Sequence, residues 1–377
     1  MRWCVLLVAF AVPGLWAQLS PGNWRTDLSK KSIDLSELRL GGPPKDGIPA
    51  IDQPVFISCR DASSWLHPKE PVLVVEHAGQ ARAYPLQILI WHELVNDRMG
   101  DLPILVSYCP LCNSALVFDR RVDGRVYDFG VSGMLRQSDM VMYDRQTDSL
   151  WQQVTGEAIV GTLTGKTLAL LPSQTLAFGT FCEVFPEGQV LSRHTGHERP
   201  YGENPYVGYE SRNRLERVVA LTWEGKSKAY PFELLRRAGV FEDRLGSLRY
   251  VIFFEPETLT ALDERQIARS RAVGTVGVFS PELEGRRLGF RRRDGRIVDK
   301  QTGSTWTVAG TATAGPLAGK RLTPVRHGVY FAFAWMAFYP GSQMVRAAGV
   351  SDERDPLEEP RGVPGRRGGL PPGPPEP

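Results

Sequence analysis

Cysteine and histidine are both scarce in this sequence, five and six residues among 377. Net charge is nearly absent as well, +3 from 45 basic and 42 acidic residues. That leaves no concentrated basic face of the kind a nucleic acid requires. The one dense arginine run, Arg286 to Arg296 in GRRLGFRRRDGR, contains Asp294-Gly295 and reads as a solvated hairpin. A phosphate loop, a nucleophile elbow and a dinucleotide fingerprint are missing, which argues against those enzyme classes. After the first residues, no apolar run is long enough to span a bilayer as a helix.

The start is different. In MRWCVLLVAFAVPGLWAQLS a basic Arg2 precedes an apolar stretch from Trp3 to Ala11, then Pro13-Gly14 and a small residue, Ala17. This layout predicts a signal peptide over residues 1–17, although Leu15 is not the ideal small residue three places before the cut. An exported protein is expected, periplasmic or secreted. Residues 18–71 read as an N-terminal extension. The tail, 351–377, is proline, glycine and charge with little to bury, so disorder is expected there.

Export changes the meaning of the cysteines. Cys4 leaves with the leader, and Cys59, Cys109, Cys112 and Cys182 remain. In an oxidising compartment four cysteines can simply form two disulfides. Cys59 and Cys182 match no site pattern, and pairing with each other or burial is expected of them.

The chain also repeats itself. VLVVEHAGQARAYPLQIL, Val72 to Leu89, aligns with VVALTWEGKSKAYPFELL, Val218 to Leu235. The register runs on without a gap from DRMGDL at Asp97 to DRLGSL at Asp243. Farther along, LRQSDMVMYDRQTDSLW at Leu135 matches FRRRDGRIVDKQTGSTW at Phe290, sharing Arg136, Asp139, Asp144, Gln146, Thr147, Ser149 and Trp151. Each copy reads as a strand pair, a Tyr-Pro step into a helix of about three turns, and then short strands separated by Gly-rich turns. The expected fold is α+β and β-rich, with two tandem lobes resembling small barrels or sandwiches. The first lobe covers 72–200 and an aromatic connecting loop 201–217. The second, degenerate lobe covers 218–350.

The repeat separates fold from chemistry. Residues in both copies, such as Trp151 and Trp306 or Asp144 and Asp299, read as buried anchors and turn residues. In the ungapped register Cys109 stands opposite Glu255, Cys112 opposite Thr258 and His92 opposite Ala238. All three reactive positions are absent from the second copy.

His92 falls on the apolar face of the expected helix, one turn from Ile88 and Leu89. The Cys-Pro-Leu-Cys stretch lies between strand-like segments rather than at a helix start, which suits a metal-binding knuckle better than a thioredoxin-type dithiol. Asn113, after the second cysteine, can take a left-handed backbone. Two thiolates and an imidazole fit zinc or copper and leave a fourth position open. Met134 (opposite Gly289) and, more weakly, Asp97 (shared as Asp243) are candidates for it. His194 and His197 have H-x-x-H spacing but sit among turn residues, as a surface loop would.

Two other readings stand beside the metal site. Cys109 and Cys112 could act as a thiol-disulfide oxidoreductase pair, or form a structural disulfide in a non-enzymatic module. In that module Tyr201, Tyr206 and Tyr209 would offer a binding surface rather than pack between lobes. A small-molecule partner is left open, as is the oligomeric state; no nucleic acid and no membrane span are expected.

WHELVND, VSYCPLCNSALVFDR, FGVSGMLRQSDMVMYDRQTDSLWQQVTGEAIVG and VLSRHTGHERPYGENPYVGY together resemble the bacterial and archaeal family called domain of unknown function 3179. The likeness is close over Val72 to Tyr209 and looser elsewhere. It implies weight for His92, Cys109, Cys112 and Tyr201. Asn113 departs from the glycine usual there. The resemblance names no reaction.

Overall fold

The computed structural model describes residues 24–346. The expected leader and the expected disordered tail lie outside the described residues. Strand accounts for 43% of the structure and helix for 13%, the β-rich α+β class read from the sequence. The sheets are small and stacked in a sandwich-like arrangement, with no closed barrel among the described residues.

The first copy opens with β1 (Pro71–His77) and β2 (Gln80–Pro85). Their turn, Ala78-Gly79, has positive φ at both positions, the conformation that matches the twist of a two-residue hairpin. Pro85 caps α1 (Leu86–His92) from outside, with extended backbone. A meander follows: β3 (Leu94–Met99), β4 (Leu102–Cys109) and β5 (Ser114–Asp119), paired antiparallel in that order. The next sheet is β6 (Phe129–Arg136), β7 (Asp139–Asp144), β8 (Leu150–Gln152) and β9 (Glu157–Val160). Finally β10 (Ser173–Ala177) returns to β1, and α2 (Phe178–Val184) leads to β11 (Gln189–Leu191), parallel to β2.

After a short helix, α3 (Tyr209–Asn213), the same order recurs. It comprises β12 (Arg217–Trp223), β13 (Lys226–Pro231), α4 (Phe232–Ala238), β14 (Val240–Leu245), β15 (Leu248–Glu255) and β16 (Thr275–Phe279). A second sheet follows: β17 (Phe290–Arg293), β18 (Arg296–Asp299), β19 (Thr305–Trp306) and β20 (Ala312–Ala314). The copy closes with β21 (Gly328–Phe331), α5 (Ala332–Phe338) and β22 (Gln343–Met344).

Shared residues do shared work. Asp144 accepts the Thr147 amide at 2.6 Å and the Trp151 indole N–H at 3.0 Å. Asp299 accepts the Thr302 amide at 2.6 Å and the Trp306 indole N–H at 3.1 Å. Each carboxylate closes a turn and satisfies a buried aromatic donor, as buried polar groups require. The arginine-rich stretch forms β17 and β18, with Asp294-Gly295 at the hairpin tip.

The two copies are interlocked. β21 of the second lies beside β5 of the first, and β10 of the first lies reciprocally beside β16 of the second, where the Thr275 hydroxyl donates to the Thr175 carbonyl. One apolar core joins Leu105, Val106 and Leu116 to Val218, Phe331 and Trp335. Another joins Val72, Val74 and Phe181 to Phe253, Phe279 and Trp306. Cys59 and Cys182 form a disulfide, closing a separation of 123 residues.

Two expectations change. The three-turn helix stops after two turns at His92, because Glu93 takes φ 59°, ψ −36° and the next six residues join the β4 ladder instead. The ungapped register between copies also ends at Cys109. β4 and β5 are joined tightly, with Cys109 opposite Ser114, whereas Glu255 pairs with Thr275 across a far longer loop. Cys112 therefore has no structural counterpart in the second copy.

Candidate metal centre

The Cys109–Cys112 segment is a strand-to-strand turn. The Asn113 amide donates to the Pro110 carbonyl at 3.2 Å, and Asn113 has the left-handed backbone (φ 51°) the sequence allowed. The rest of the chain holds this turn from two further places. The Tyr209 hydroxyl donates to the Leu111 carbonyl at 3.1 Å, and the Phe331 amide donates to the Cys112 carbonyl at 2.8 Å. Tyr209 is buried, and Tyr201 and Tyr206 pack half-buried against the first core, so the aromatic loop serves packing.

Both cysteines are free thiols, 2% and 0% exposed. Their sulfurs and a carboxylate oxygen of Asp139 all lie within 4.8 Å of one another, a buried group that could hold a metal ion. Asp139 starts β7, just past a two-residue turn in which Gln137 and Ser138 both have positive φ, 50° and 61°. This strained turn aims the Ser138 carbonyl at the sulfurs, 3.3 Å from Cys112 Sγ. Gln152 Nε2 donates to Asp139 Oδ2 at 2.6 Å, and the Val154 amide donates to the same oxygen at 3.0 Å. Asp139 Oδ1 is buried and, among the described residues, has only the two thiols beside it. A fixed carboxylate with one oxygen facing only two thiols is a donor set that could hold a metal ion.

The polar wall extends behind it. Gln153 bonds Ser107 at 2.8 Å and Ser114 at 2.7 Å, all three fully buried. In the second copy, Phe253 and Val308 align with Ser107 and Gln153.

Burial dominates the electrostatics. It pushes both thiols up, Cys112 well above its ordinary value, and raises Asp139 to about 6. Glu93, also buried, is pushed up to about 8 by desolvation and then by the negative charge of Asp139.

His92 is placed elsewhere. Its ring bonds the Pro49 carbonyl through Nδ1 (2.8 Å) and the Tyr201 hydroxyl through Nε2 (2.7 Å), so both nitrogens are committed. It does not belong to the group formed by Cys109, Cys112 and Asp139. Burial lowers it to about 4, which keeps it neutral. The Tyr201 hydroxyl also contacts Thr195 Oγ1 at 2.6 Å, and the His197 ring lies 5.6 Å from that of His92. Met134 belongs to a different apolar cluster, with Trp24 and Tyr143. Asp97 accepts bonds from Tyr84 and Arg82, just as Asp243 does from Tyr230 and Lys228, a fold role common to both copies.

The family model described as "Protein of unknown function (DUF3179)" matches residues 45–342, most of the chain, and the protein belongs to this family. No curated protein and no solved structure matches it. Among the described residues no helix is long and apolar enough to cross a membrane.

Proposed function

We propose that this is an extracytoplasmic metal-binding protein that holds a zinc or copper ion on Cys109, Cys112 and Asp139. The observation that supports the reading is the fully buried Asp139 Oδ1, whose only neighbours among the described residues that could share a cation with it are two buried thiols. Without a cation, these groups lose hydration with no compensating charge. A bound ion would convert the thiols to thiolates and supply that charge. Two sulfurs with an oxygen suit zinc, and thiolate preference also admits copper. Burial favours a closed site, structural or electron-transferring, over an open catalytic one. The Cys59–Cys182 disulfide supports an oxidising compartment.

Elemental analysis of the purified protein tests this. About one zinc or copper per chain is expected, falling to background in Cys109→Ser and Asp139→Ala. Metal-free wild-type protein, or a content unchanged by Cys109→Ser, removes the reading.

One observation favours a thiol-disulfide reaction instead: the Asp139 carboxyl lies beside both thiols and could take a proton from Cys112. The buried position of the sulfurs weighs against it, since attack on a substrate requires an accessible thiolate. Alkylation with mass spectrometry separates the two. A pair that stays reduced until chelator is added supports metal, and a readily reducible Cys109–Cys112 bridge supports redox chemistry.

A further inference from the structure

Glu93 and Gly239 stand at the same point of the two copies, immediately after α1 and α4. Gly239 has φ 70°, ψ −39°, and Glu93 has φ 59°, ψ −36°. The fold requires that conformation for the same reason in both: the Tyr108 amide donates to the Glu93 carbonyl at 2.8 Å, and the Phe254 amide donates to the Gly239 carbonyl at 3.0 Å. Glycine meets this requirement without steric cost. A glutamate there carries backbone strain with no gain to the turn.

The side chain is also in an unfavourable place. Glu93 is 7% exposed, and burial together with the negative charge of Asp139 disfavours its ionised form. Its backbone is bonded to Tyr108, the residue before Cys109. The side chain therefore starts from the edge of the sulfur site. Strain, burial and a backbone bond to the strand end that carries Cys109 together make a residue that the fold alone does not explain.

We propose that Glu93 is the fourth protein group of the centre, a carboxylate that joins Cys109, Cys112 and Asp139 on the metal; this rests on the metal reading above. Its carboxyl lies outside the compact group of three, and would have to turn inward to reach the ion. Two thiolates and two carboxylates then complete four-coordination without a histidine. The second copy, with Gly239 in place of Glu93, has given up this ligand along with the cysteines.

The probe is Co²⁺, added to metal-free full-length protein and followed by thiolate-to-cobalt absorption. Glu93→Gly and Glu93→Gln are compared with wild type, and the melting temperature of each metal-free protein is recorded. Glu93→Gly relieves the backbone and should melt higher than wild type, yet bind Co²⁺ at least about tenfold more weakly, as should Glu93→Gln. A loss smaller than that in both variants, with wild type binding normally, overturns the assignment of Glu93 alone. Absence of Co²⁺ binding by wild type overturns the metal reading and this assignment together.

Discussion

The amide of Phe331, in the second copy, donates a 2.8 Å hydrogen bond to the carbonyl of Cys112, in the first. The copy that lacks the cysteines therefore supports the turn that carries them. Tyr209, from the segment between the copies, does the same at Leu111. The Tyr209→Phe variant leaves that carbonyl without its partner and should lose about 1 kcal/mol of stability in urea denaturation. It should also release metal to a chelator faster than wild type. Unchanged stability and unchanged release would show that the hydroxyl is dispensable to the turn.

The disulfide is a separate prediction. Cys59 and Cys182 are 123 residues apart, so their bond restricts a large loop in the unfolded chain. The paired Cys59→Ser and Cys182→Ser variant should lose about 2–5 kcal/mol, while metal content stays at the wild-type value. Equal denaturation midpoints for variant and parent would contradict this.

Asp139 and Asp299 should fail in opposite ways. Asp299→Ala orphans the buried Trp306 indole N–H and should cost about 1–3 kcal/mol of stability with metal content intact. Asp139→Asn should strip or weaken the metal while the fold persists. Circular dichroism melts with metal analysis on both variants settle it; the same profile for both would break the division between shared fold residues and site residues.

Stability should depend on pH through His327. It is fully buried, its Nδ1 bonds the Val325 carbonyl at 2.7 Å, and burial lowers its pKa from 6.5 to about 4. The unfolded chain binds this proton first as pH falls, so stability is lost between pH 6.5 and 4. From pH 7.5 to pH 5 this group alone contributes a loss of about 2 kcal/mol. His92, lowered to about 4 as well, acts in the same direction. Urea midpoints of His327→Gln should fall less steeply over that range than those of wild type. Parallel slopes would rule His327 out as the source.

The internal repeat, the β-rich α+β class and the C-x-x-C turn are legible in the sequence because they rest on local signals: turn residues, alternation and matched spacing. Asp139 is not, for an instructive reason. It aligns with Asp294, so in the sequence it reads as a fold residue shared by both copies. The two occupy different places: Asp294 is at an exposed hairpin tip, whereas Asp139 follows a turn two residues earlier, in a hairpin whose first strand is bulged between Val131 and Met134. The buried signal was nearby, since Gln152-Gln153 stands opposite Thr307-Val308. Glu93 was hidden by the expected continuation of the helix, yet Gly239 at the aligned position already marked a helix end. The sequence places His92 with the cysteines because a helix and the strand after it run side by side. That argument fixes neighbours but not the direction of a ring, and the ring faces Pro49 and Tyr201.

X-ray absorption at the K-edge of the bound zinc or copper tests the central claim most directly. The account predicts two sulfur scatterers at about 2.3 Å with oxygen near 2.0–2.2 Å in the zinc form, and no multiple-scattering signature of imidazole. A first shell lacking sulfur, or one with a clear imidazole pattern, would contradict it.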